Sequence, residues 1–165
     1  MKKMITLTLV LAGTFCTGAW GQAAMSAKAK ANWEANTAIM KAYSAGDFSG
    51  MSKYIAADAV DHGGEMGDVK GVDNIVSEMK RYRQMMPDMK YEVVKELADD
   101  DYVFSWTTVS GTMNGKATTM NGIDVSKFKD GKAVEHWTFM DPKDMMKMMP
   151  PAPAPPPPPP APNKQ

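Results

Sequence analysis

Few side chains in this sequence could move a proton, and their spacing decides which could do so together. Asp124 sits in the middle of an alternating stretch, with Met120, Gly122, Ser126 and Phe128 on its own face. A carboxylate inside a strand is uncommon. If that face lines an apolar cavity, loss of solvent should raise its pKa and make it a general base at neutral pH. If it is the outer face, Asp124 is a solvated surface charge, and strand phase alone does not choose. His136 lies between Glu135 and Trp137 and so points opposite to both, into a pocket or into packing. Asp61 and His62 precede a glycine-rich turn, Gly63 to Gly71. That pair reads as an oriented base, as two metal ligands or as a loop pair capping Gly63-Gly64. The catalytic candidates are therefore Asp124, His62 and His136.

Trp106 and Trp137 sit on strands, where aromatic rings line a pocket or fill a core. With Asp61 and Asp141 they are placed on the pocket wall. Seventeen methionines include pairs at Met85-Met86, Met145-Met146 and Met148-Met149. Clustered thioethers outside the cytoplasm can hold Cu(I), but the plainer reading of Met140 to Met149 is a flexible apolar segment packed loosely on the fold. Two histidines and no cysteine in the mature chain make a zinc site improbable. No metal and no cofactor is assigned.

The elements that must position these residues follow from periodicity. Ala27 to Ser44 carries Trp33, Met40 and Tyr43 at helical spacing and ends before Ala45-Gly46-Asp47. Ser49 to Ala56 reads as a second, shorter helix, and Ala59 to His62 as a brief extended run. Val72, Ile75, Val76, Met79, Tyr82 and Met86 recur at steps of three and four, a helix that Pro87-Asp88 stops. From there the period shifts toward two, with β-branched and aromatic residues. Asn114-Gly115 and Asp130-Gly131 are hairpin signals. Helices followed by a meander of four long strands imply an α+β fold, with the helices packed on a curved, mainly antiparallel sheet.

Both ends stand apart. Lys2 and Lys3, an apolar stretch from Met4 to about Phe15 and small residues to Ala23 have the layout of a signal peptide over 1–23, cut after Gly21 or Ala23. The apolar stretch is too short to remain as a span, since ~20 residues are needed, so no stable membrane insertion is expected after cleavage. Cys16, the single cysteine, leaves with that segment. The chain is accordingly expected in the periplasm or secreted. The folded domain is assigned to 24–143, and 144–165 is read as a Met- and Pro-rich tail, solvated and extended from Pro150 on. Nineteen basic and nineteen acidic residues become 17 against 19 once Lys2 and Lys3 are lost, a balance unsuited to nucleic acid.

Several short motifs, in order, resemble the SnoaL-like polyketide cyclase family of the nuclear transport factor 2-like superfamily. They are Gly46-Asp47, Asp58 to His62, Gly71, Pro87-Asp88, Gly111-Thr112, Phe128, Asp130-Gly131-Lys132, Glu135-His136-Trp137 and Asp141. The resemblance implies a cone of bent sheet and three helices around a deep apolar pocket for a small molecule, and a homodimer. It also implies metal-free acid/base chemistry beside a carbonyl, and it places Asp124 where the ketosteroid isomerases of the superfamily carry an aspartate. The sequence departs from these relatives in having Thr138 after the motif tryptophan. It also has Ile39 and Gly63 where the isomerases have a tyrosine and an aspartate. Two functions are compatible with these residues: a small apolar ligand bound and turned over by Asp124 with His62 or His136, or a non-catalytic binding or dimerisation module with an interaction tail.

Overall fold

The computed structural model describes residues 25–64 and 67–148, so the segments read as signal peptide and proline-rich spacer lie outside the described residues. In chain order the elements are α1 (Ala27–Ala45), β1 (Ile55–Asp61), β2 (Val69–Lys70), α2 (Val72–Met85), β3 (Lys90–Ala98), β4 (Tyr102–Met113), β5 (Lys116–Lys129), β6 (Lys132–Met140) and α3 (Pro142–Met148).

Ser26 starts α1, its Oγ accepting the Ala29 N–H at 2.9 Å, which satisfies a donor the helix leaves open. Gly46 ends it in the left-handed conformation, with its N–H returned to the Tyr43 carbonyl at 3.1 Å. The buried face carries Ala29, Asn32, Ala35, Asn36 and Ile39 at steps of three and four. Two of these are polar and key the helix to the sheet. Asn36 Nδ2 donates to Glu96 at 2.8 Å and Ser105 at 3.1 Å, and Asn32 Nδ2 donates to the Asp100 carbonyl at 2.9 Å.

The six strands form one sheet in the order β2-β1-β6-β5-β4-β3, antiparallel except for the β1 and β6 pair. Both hairpin signals mark tight turns: Asn114 and Gly115, and Asp130 and Gly131, all have positive φ, the requirement of the turn whose twist matches paired strands. Register shifts at Val93/Lys95 and Lys127/Phe128 bend the sheet locally. The helix read over 49–56 is replaced by one 3-10 turn, Met51–Lys53, with β1 already begun at Ile55. Pairing wins there: Ile55 registers with Ala133, and the Ala133 N–H reaches the Tyr54 carbonyl at 2.8 Å.

Two apolar clusters fill the concave side. One joins Ile39, Met51, Ile55, Ile75, Val103 and Phe128, and the other joins Met86, Met89, Met113 and Met120. The end of the fold lies beyond residue 143. Asp144 is buried and accepts the Asn121 N–H at 2.9 Å, while Lys147 donates to the Thr119 carbonyl at 2.8 Å. These bonds fix α3 on β5, so the boundary placed at 143 falls inside a helix.

Candidate functional site

Strand phase, which the sequence left open, is decided by pairing. Asp124 registers with Ser105 on β4 and Thr138 on β6, and all three face the concave side. There, members of both apolar clusters line a cavity of about 250 Å³ that also takes in Asp61, Asp124 and His136.

Asp124 is 7% exposed, and hydrogen bonds on both oxygens hold it. Tyr91 Oη donates to Oδ2 at 2.5 Å, Thr107 Oγ1 donates to Oδ2 at 2.9 Å, and Thr138 Oγ1 donates to Oδ1 at 2.8 Å. The His136 ring fills the space between two carboxylates. Its Nδ1 is 3.1 Å from Asp61 Oδ1, and its Nε2 is 3.6 Å from Asp124 Oδ1. The second contact is an ion pair just longer than a hydrogen bond. Asp61 Oδ1 also accepts the Gly63 N–H at 2.8 Å, whereas its Oδ2 accepts no hydrogen bond among the described residues.

These contacts overturn the expectation of a raised Asp124 pKa. Burial does push it up, but contact with His136 and the hydroxyls of Tyr91 and Thr138 outweigh it, and the carboxyl is held below its ordinary value. Asp61 behaves alike: burial raises it, and His136 with the Gly63 N–H brings it below normal. For His136, burial disfavours the charged ring, yet Asp124 and Asp61 together raise its pKa to about 9. Tyr91, buried against Asp124, is pushed far above its ordinary value and stays a donor. At neutral pH the cluster is thus an imidazolium between two carboxylates.

The other candidates lie elsewhere. His62 follows Asp61, so the alternation of β1 sends it to the opposite side. It stacks on Trp137 with ring centroids 4.9 Å apart and meets Asp68 at 3.0 Å and Glu135 at 3.4 Å. Bonding to Asp68 is the main cause that raises its pKa. Trp106 is 50% exposed on the convex face, because it alternates with Ser105 and Thr107, which point inward. Trp137 shares that face, paired with Val125. Asp141 is exposed and accepts the Lys143 N–H at 2.8 Å at the start of α3. None of these four lines the cavity. No group of three or more His, Cys, Asp or Glu that could hold a metal ion occurs among the described residues.

Tyr91, Thr107 and Thr138 were missed as site residues. Thr138 stood out in the sequence as the residue where relatives have an aspartate, and here its hydroxyl serves Asp124. A signal did exist: Thr107 and Thr138 share the parity of residues that flank the cavity. Tyr91 carried none, being one aromatic in an alternating run. Tyr43 on α1 meets it edge-on, with centroids 5.6 Å apart.

Comparison with known proteins bears on the family and the fold. The model of the SnoaL-like domain family matches residues 37–136. No curated protein matches the chain. Among solved structures, Bal32a from a soil-derived mobile gene cassette superposes with a TM-score of 0.64 at 21% identity, over 70% of this chain and 92% of that one. An LEH-like epoxide hydrolase from M. tuberculosis gives 0.63 at 16% identity, over 73% and 90%. TsrD from Streptomyces laurentii gives 0.64 at 16%, over 72% and 94%. At these identities the structures speak for the fold alone, and the family follows from the matched domain: the chain belongs to the SnoaL-like domain family and has the cone-shaped fold of the nuclear transport factor 2 type.

Proposed function

We propose that this is an exported small-molecule-binding protein whose cavity carries out cofactor-independent acid/base chemistry on an apolar carbonyl compound. The observation that carries the reading is the His136 ring held between Asp61 and Asp124 on the wall of an otherwise apolar cavity. A proton leaving the carbon beside a carbonyl needs an acceptor, and the oxygen that gains charge needs a donor. Asp61 Oδ2 is the acceptor with room for a ligand, and the His136 Nε2–H is the donor. Asp124, its oxygens already engaged, positions His136 and fixes its charge.

The test is exchange of α-protons of β-tetralone for deuterium, followed by NMR. The wild-type chain should accelerate exchange, and Asp61→Asn, Asp124→Asn and His136→Gln should each lower the rate ~100-fold or more while remaining folded. Exchange no faster than in buffer, or unchanged in all three variants, would remove the catalytic reading.

A second reading has its own support on the convex face. Leu97, Phe104, Trp106, Ile123 and Phe139 are each at least 40% exposed there. They register across four strands, Leu97 with Phe104, Trp106 with Ile123 and Ile123 with Phe139. An apolar face of this kind favours association, and we take the partner to be a second copy packed sheet to sheet. Sedimentation should find a dimer that Trp106→Lys with Phe139→Lys converts to monomer; a wild-type monomer would refute it.

A further inference from the structure

Exposure divides the wall of the cavity into two ends. Of the described residues that line it, Gly63, Asn121, Thr138 and Met145 are exposed, and they form one continuous rim. A Cβ placed on Gly63 would lie 3.6 Å from the Thr138 Cβ. Thr138 leads through the Gly122 and Met140 pair of β5 and β6 to Asn121, whose N–H is bonded at 2.9 Å to Asp144, the neighbour of Met145 on α3. The rim thus lies at the end of β6. At the start of that strand Ala133 registers with Ile55, and there Ile39, Ile55, Ile75 and Ala133 pack in one cluster, each at most 7% exposed.

The polar cluster stands just inside the rim. Asp61 and His136 are registered partners on β1 and β6, and their side chains keep 18% and 27% exposure. Asp61 Oδ1 accepts the Gly63 N–H of the rim at 2.8 Å, and Thr138 of the rim donates to Asp124 at 2.8 Å. Apolar surface gains by moving past them to the dry end, whereas a polar group taken there would leave water without partners. Volume points the same way: at about 250 Å³ the cavity is smaller than the ~300–1,000 Å³ of sites that enclose drug-sized ligands, so a longer molecule must lie partly outside.

We propose that the carbonyl compound is enclosed on one side only. Its apolar body reaches the end formed by Ile39, Ile55 and Ile75, and its carbonyl stops beside Asp61 and His136. The substituent on the other side of the carbonyl is polar and leaves through the rim between Gly63 and Met145. This rests on the reading of the cavity as the site of a neutral carbonyl ligand, and it narrows that ligand to an amphipathic ketone or ester.

Benzylacetone, a phenyl ring joined through a short methylene link to a methyl ketone, is the parent probe. A triethylene glycol chain is attached either to the methyl carbon beside the carbonyl or to the para carbon of the ring, and all of these ketones are titrated calorimetrically into the full mature chain at pH 7. The parent and the carbonyl-side derivative should bind within ~3-fold of one another, and the ring-side derivative at least ~10-fold more weakly, since its ether oxygens would enter the apolar end without donors. Met145→Trp, which crowds the rim, should weaken the carbonyl-side derivative at least ~5-fold and leave the parent within ~3-fold. The ranking in the wild-type chain is decisive even if the variant fails to fold. A ring-side derivative that binds as tightly as the carbonyl-side one, or affinity lost in both derivatives, would overturn the orientation while parent binding leaves the cavity as a carbonyl site. A carbonyl-side derivative indifferent to Met145→Trp would overturn the exit past α3. No binding of the parent would remove the carbonyl ligand itself, and the orientation with it.

Discussion

At the scale of single residues, the site is held by a proton that two carboxylates compete to stabilise. The rise of the His136 pKa and the depression at Asp61 and Asp124 are one interaction seen from both sides, so its contribution to stability counts once. With a folded value of about 9 against 6.5, His136 contributes stabilisation that is complete below pH 6.5 and lost as pH rises through 9. The aspartates, depressed from 3.8, contribute stabilisation present above that value and lost on acidification. Calorimetric melting should therefore give a midpoint highest near pH 5 to 6 and falling between 6.5 and 9, with the alkaline decline missing in His136→Gln. A midpoint flat over that interval in the wild-type chain would contradict the assignment. Tyr91→Phe removes the 2.5 Å donor to Asp124. The loss should cost ~1–3 kcal/mol in urea denaturation, and a cost near zero would mean that the bond is spare.

At the scale of elements, the cavity exists because β4, β5 and β6 turn their polar residues of one parity inward together. That parity was legible in the sequence, since Met120, Gly122, Asp124, Ser126 and Phe128 share a face whichever way it points. Its direction was not, because β4 carries apolar residues on both faces, Val103 and Val109 inward and Phe104 and Trp106 outward. A hydrophobicity pattern with no polar side gives no vote on which side is wet. The same ambiguity misplaced Trp106 and Trp137. The reading of 49–56 as a helix failed for another reason: local periodicity competed with pairing to β6, a contact nearly eighty residues away. Close packing in the methionine cluster also belongs to this scale. A Cβ added at Gly111 would fall 2.6 Å from Met86 Cγ and Sδ, and Met86 is fully buried. Gly111→Ala should therefore destabilise the fold by ~1–3 kcal/mol, measured by the same denaturation, and a neutral result would show that Met86 moves aside freely.

At the scale of the whole molecule, one sheet presents two different surfaces. Its concave side holds a polar cluster inside an apolar cavity, and its convex side carries exposed aromatic rings. Where the protein works is a separate proposition that rests on the first residues, which the fold does not touch. If 1–23 is removed on export, sequencing the amino terminus of the purified mature chain should begin at Gln22 or Ala24, in the periplasmic or culture fraction. A chain beginning at Met1 in the cytoplasm would contradict export, and would restore Cys16 to the mature chain.

The acid/base chemistry proposed for the cavity depends on the charge of one ring, which is easy to observe because only two histidines are present. An NMR titration of the imidazole nitrogens should show His136 protonated through neutral pH with a midpoint near 9, moving down in Asp61→Asn. A midpoint near the ordinary 6.5 in the wild-type chain would mean that the two carboxylates do not hold the proton, and the acid/base reading of the cavity would go with it.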